Sequence, residues 1–249
     1  MRNDYTLQGY RRQWASSTVY NDVASYLVGG QSAINTPDVS TTYYINSTSA
    51  QDTTAGTGVD TVRVTFLDVD GKQQTVTANL NGTTAVSIGA GYTFFQWMES
   101  DHSTQVNRVA AGKLTISSIN GVATEATTME AIRAGGDRSQ SLRYKVPTGT
   151  HAHIHDYHAS AVKLGGGSTN YEVQVRATVW ADDGTLSNGF HFLRGAYLTD
   201  GETTADGFHF REIPAGAVIK MSVIPSATGD GNIITGTVDI AVIDDYLLA

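Results

Sequence analysis

Three things are scarce in this 249-residue chain: it has no cysteine, only 4 prolines, and charged side chains at just 16% of positions. Without cysteine there is no disulfide, no thiol nucleophile and no cysteine-ligated zinc. A chain of this length can bury a core without such staples, and the absence fits assembly in a reducing cytoplasm. Acidic residues outnumber basic ones by 24 to 16, a net charge of −8 at pH 7. A phosphate-binding surface needs clustered Lys and Arg, and the one adjacent basic pair is Arg11-Arg12. Nucleic acid is therefore not an expected partner. No stretch approaches the roughly 20 apolar residues of a membrane-spanning helix, and the first residues carry no apolar segment of the kind found in secretory signals. Neither a membrane partner nor a cleaved leader is expected.

The place of the missing charge is taken by Thr, Ser, Asn and Gly. That composition does not suit solvent-facing helices, which need Glu, Lys and Arg on their outer side. It suits β-strands joined by tight turns. Val62-Arg-Val-Thr-Phe66 alternates apolar with polar, and Lys72–Leu80 places Val76 and Leu80 on one face. Asp70-Gly71 between them and Asn81-Gly82 after them tolerate the positive φ of hairpin turns. Residues 61–88 are thus expected to form a three-stranded meander. Further strands are expected at 113–119, 142–146, 151–162, 171–180, 190–198, 208–213, 217–224 and 232–243, with turn residues between them. Residues 127–134 read as one or two helical turns. The motif Gly-Phe-His-Phe occurs at Gly189–Phe192 and Gly207–Phe210, as in two neighbouring strands that pack aromatics into one core. The fold class expected is all-β, an antiparallel, jelly-roll-like β-sandwich with an irregular N-terminal arm. The division expected is an arm over 1–40, a β domain over 41–138 and a jelly roll over 139–249. Within the arm, Val19, Val23, Tyr26 and Leu27 follow a helical spacing that Gly29-Gly30 would end.

One constellation has metal-binding chemistry. In His151-Ala-His153-Ile-His155-Asp-Tyr-His158, regular alternation puts His151, His153 and His155 on one face, about 7 Å apart along the strand. Imidazoles so placed can chelate a transition metal. They can equally form a polar strand face, exposed or buried between subunits, or a pH-sensitive interface. Metal-binding cupins also use a His-x-His strand, but with a carboxylate close behind on the same face, and here the next Glu is Glu172. The carboxylate pairs Asp68/Asp70, Asp182-Asp183 and Asp244-Asp245 read as turn chemistry. Tyr92, Phe94, Phe95 and Trp97 form a dense aromatic group, read as core packing plus an interface, or as a sugar-stacking platform. Arg11, Arg12, Trp14 and Trp97 are the candidate interface residues. No nucleophile elbow, phosphate loop, dinucleotide fingerprint or His-Glu-x-x-His zinc motif is present, so no catalytic residue, no cofactor and no enzymatic activity are expected.

Two stretches resemble virion proteins of tailed bacteriophages. Gly58–Thr84 resembles the strand, Asp-Gly turn, strand, Asn-Gly-Thr segment of phage structural proteins. Ser141–Ile219 is similar to phage jelly-roll modules, in which Tyr144-Lys-Val-Pro-Thr-Gly149 opens the sandwich and Ile213-Pro-Ala-Gly216 opens a late strand. The resemblance implies a structural virion protein assembled in the host cytoplasm. Its form would be a homotrimeric capsid decoration or head-stabilising protein, or a tail-associated one. Its partners would be copies of itself and the major capsid protein or other virion proteins. The alternative is a receptor- or carbohydrate-binding protein that takes a host-surface glycan.

Overall fold

The computed structural model describes residues 2–12, 26–27, 36–101, 103, 108–121, 123, 127–139, 142–162, 171–177, 191–198, 203–207, 212–225 and 233–245. These are all-β, with every strand pair antiparallel, and none of their helices is long and apolar enough to cross a membrane. The chain divides into two compact units. One is Ile34–Gln140; the other joins Met1–Ala33 to Ser141–Ala249.

The discontinuous unit begins with β1 (Arg2–Arg12) and β2 (Tyr26–Leu27) and resumes with β10 (Arg143–Lys145), β11 (Thr150–Val162), β12 (Tyr171–Ala177), β13 (His191–Leu198), β14 (Thr203–Gly207), β15 (Val218–Pro225) and β16 (Ile233–Asp244). One sheet has the order β1-β16-β11-β14. The other has the order β10-β15-β12-β13, with β2 added to β15. Numbered along the chain, the main strands therefore alternate between the sheets as first-eighth-third-sixth and second-seventh-fourth-fifth. That is the interleaved double Greek key of a jelly roll. The remaining unit is inserted between its first and second strands.

The segment read as an irregular arm thus contains an eleven-residue strand, paired with β16 from Arg2↔Ile243 to Arg12↔Ile233. Only Tyr5 and Leu7 lie in register with the buried Ile240 and Val238, too few apolar residues to show a period. This strand is specified by its pairing rather than by its own pattern. Of the helical spacing over Val19–Leu27, Tyr26 and Leu27 lie in β2, and the rest is outside the described residues. Most of the two Gly-Phe-His-Phe copies is also outside them. His191 and Phe192 open β13 in one sheet, and Gly207 ends β14 in the other.

The two segments that carry the jelly-roll resemblance meet. The Val146 amide donates to Ala217 O at 2.8 Å, and the Gly216 amide donates to Val146 O at 2.8 Å. Beside them Tyr144 pairs with Ile219, and both are fully buried.

The inserted unit contains β3 (Tyr43–Ser47), β4 (Thr61–Leu67), β5 (Gln73–Asn79), β6 (Val86–Gly89), β7 (Phe94–Ser100), β8 (Leu114–Ser117) and β9 (Thr128–Ile132). The sheets β6-β3-β8-β9 and β5-β4-β7 enclose Tyr43, Ile45, Val62, Val64, Phe95, Met98, Leu114, Ile116 and Ile132. The expected hairpin is present: Asp68 Oδ1 accepts from the Asp70 and Lys72 amides at 3.0 and 2.9 Å, and Gly71 adopts φ 73°. The expected meander is not. After Asn81-Gly82 the chain leaves for the other sheet, where β6 pairs with β3, because the Ser47 amide captures Gly82 O at 3.0 Å. Residues 128–132, expected to be helical, form β9. Their burial is nearly continuous rather than one-sided, and a short apolar run of that kind does not separate strand from helix.

The inserted unit is organised by a buried carboxylate. Asp52 is wholly shielded from solvent. Its Oδ1 accepts from the Val59 and Ala111 amides at 3.0 and 2.8 Å, and its Oδ2 accepts from the Gly112 amide at 2.9 Å and from the Ser47 hydroxyl. A Cβ on Gly58 would overlap Asp52 Oδ1, so only glycine admits the carboxylate there.

Candidate functional site

The histidine run lies on β11, between β16 and β14. Ala152, Ile154 and Tyr157 are buried, as are Val238, Ile240 and Val242 on β16. Strict alternation would put Ile154 and Tyr157 on opposite faces. A register shift between Ile154 and Asp156 reconciles them: Ile154 pairs with Ile240, Asp156 with Asp239 and Tyr157 with Val238. His155 is the extra residue of a β-bulge, a device that re-aims side chains.

The bulge rearranges the residues that alternation would align. His151 is buried, and its Nδ1 lies 2.9 Å from Asp245 Oδ1. His153 meets it edge to face, ring centroids 5.2 Å apart. His155 is exposed and unmatched on β16. Beyond the bulge, Asp156 and His158 move to the face opposite Ile154 and Tyr157. There they join Asp239, whose neighbours Val238 and Ile240 point into the core. One potential ligand atom from each of Asp156, His158 and Asp239 lies within 4.8 Å of the others. His158 Nε2 is 3.0 Å from Asp156 Oδ2. The other oxygens, Asp156 Oδ1 and Asp239 Oδ1, are removed from solvent and have no hydrogen-bond partner.

The residues that gather here are therefore not His151, His153 and His155, which alternation would align, but His158 with Asp156 and Asp239. For Asp239 a signal exists: it is a lone carboxylate in the run Val238-Asp-Ile-Ala-Val-Ile243. For Asp156 none does, because alternation assigns it to the same face as Ile154.

Of the other candidates, Arg11 and Arg12 lie in β1, opposite Ile234 and Ile233, and Trp14 is outside the described residues. Tyr92, Phe94 and Phe95 are buried. Tyr92 and Phe95 join Tyr43 and Phe66 in a cluster of edge-to-face and tilted rings 4.5 to 5.9 Å apart, so they are core. Trp97 is half-buried, with the Arg138 guanidinium 5.3 Å from its ring centre. Asp182-Asp183 lies outside the described residues.

No protein family and no curated protein matches the chain. Among solved structures, it aligns with the CBM22-1-GH10 modules of the Clostridium thermocellum N-terminal endo-1,4-β-D-xylanase 10B complexed with xylohexaose. The identity is 9% and the TM-score 0.23, over 81% of this chain but only 28% of that one. It aligns with the tandem CBM22 domain of Paenibacillus barcinonensis Xyn10C at 10% identity and TM-score 0.25, over 96% and 92% of the two chains. It also aligns with an infectious bursal disease virus structure, Gt strain, at 11% identity and TM-score 0.26, over 97% and 72%. Scores this low carry no argument about ancestry or activity.

Proposed function

We propose that this chain is a structural virion protein, a homotrimeric decoration or stabilising subunit that fastens onto a capsid or tail lattice. One observation carries the reading. The chain has complete jelly-roll connectivity, and of the segments that resemble phage jelly-roll modules, Tyr144–Gly149 begins in the second strand and turns out of it while Ile213–Gly216 leads into the seventh, which pairs with the second. Jelly rolls also serve lectins and cupins, so the fold alone does not choose among these. The surface favours a packed lattice. At the edge of its sheet, β5 reads Gln73-Gln-Thr-Val-Thr-Ala-Asn79, with no charge and no proline. Isolated proteins guard such edges with Lys, Pro or a bulge; a subunit that meets neighbours needs no guard.

Light scattering of the purified protein should give three chains per particle, and it should co-sediment with particles assembled without it. A monomer that binds no particle overturns the reading. Thr75→Lys, which puts a charge on the edge, should weaken particle binding at least tenfold without unfolding the chain. Within the aromatic group, Trp97 is the member left for a carbohydrate-binding role, since Tyr92, Phe94 and Phe95 are buried. Glycan-array binding abolished by Trp97→Ala would favour that role instead.

A further inference from the structure

We infer that Asp156, His158 and Asp239 form a binding site for one divalent transition-metal ion, with Zn²⁺ the best fit, pinning β11 to β16 at the bulge.

Directly opposed like charges on neighbouring strands are unfavourable, and Asp156 and Asp239 are directly opposed. Each also holds an oxygen away from water with no donor supplied, which costs free energy unless something positive is present. His158 answers only one carboxylate, through Asp156 Oδ2. A metal ion answers both. Two ligands about 2.1 Å from one tetrahedral ion stand about 3.4 Å apart, a few tenths of an ångström more than the 3.0 Å between His158 Nε2 and Asp156 Oδ2. The 4.8 Å spread of the set closes around an ion by small side-chain rotations. One imidazole and two carboxylates are a borderline donor set, preferring Zn²⁺ over Mn²⁺ and both over Mg²⁺ or Ca²⁺, which take oxygen ligands. Three protein ligands leave positions for water. Gly207 stands opposite Asp156 on β14 and brings no side chain to that position. The bulge explains why the site exists, because without it Asp156 would face the core with Ile154.

The test is calorimetric titration of ZnCl₂ into the chelator-treated full chain at pH 7.5, with thermal unfolding followed in parallel. One Zn²⁺ per chain with micromolar Kd and a raised Tm is expected, with Mn²⁺ weaker and Mg²⁺ at least a hundredfold weaker. Asp239→Asn keeps the shape of the side chain and should weaken Zn²⁺ at least tenfold; His158→Ala should do the same, and His153→Ala should not. The inference fails if no stoichiometric Zn²⁺ binds. It fails equally if binding survives Asp239→Asn and is lost in His153→Ala, which would move the ion to the first histidines. Circular dichroism of each metal-free variant separates loss of ligand from loss of fold.

Discussion

Each unit of the molecule takes carboxylate oxygens out of water, and the two do so differently. In the inserted unit Asp52 is completely enclosed, and three backbone amides and a hydroxyl satisfy it. In the jelly roll Asp156 and Asp239 are only partly enclosed, yet each has an oxygen with no donor. Burial depth therefore does not decide whether these carboxylate oxygens are satisfied; the supply of donors does. The loops around Asp52 bring N–H groups to it, whereas the ladder around Asp156 and Asp239 spends its N–H groups on strand pairing.

The same chemical change should have opposite signs at the two places. Asp52→Asn sets an amide N–H₂ against backbone N–H donors and leaves at least one of them unsatisfied. It should cost about 3 kcal/mol, read as a lower denaturation midpoint in urea. Gly58→Ala tests the same enclosure by crowding the carboxylate, and should cost about 1–3 kcal/mol by the same measurement. Asp239→Asn in the metal-free chain removes one of two opposed charges and should raise stability by up to about 1 kcal/mol. Equal signs for Asp52→Asn and Asp239→Asn would erase the contrast.

A smaller effect concerns pH. Hydrogen bonds from the Lys72 amide, then from Gln74, hold the Asp68 carboxyl below its usual value of 3.8. A depressed folded pKa contributes stability that is present above the unfolded value and lost as pH falls through the folded one. The β4–β5 turn should therefore loosen as pH falls below about 3.8, seen by amide exchange at Asp70 and Lys72, and Asp68→Asn should abolish that acid step. At the alkaline end, burial raises the hydroxyls of Tyr43 and Tyr92 above 10.0. Their contribution is complete below that value and is lost as pH climbs through the folded pKa, so Tyr92→Phe should shift alkaline unfolding upward.

Read alone, the sequence specifies the all-β class, the β4–β5 hairpin with its Asp-Gly turn, and the Pro-x-Gly turns that end at Gly149 and Gly216, since alternation and positive-φ glycines act over a few residues. It did not contain the strand nature of Arg2–Arg12, the departure of β6 to the second sheet or the exit of Asp156 from the core face. Those depend on partners far along the chain: β16 supplies the ladder for β1, Ser47 takes the carbonyl of Gly82, and Ile240 and Val238 hold Ile154 and Tyr157 on one side of the bulge. The histidine run is conspicuous in composition alone. Which of its members meet a carboxylate was decided only when one extra residue, His155, was accommodated in the ladder.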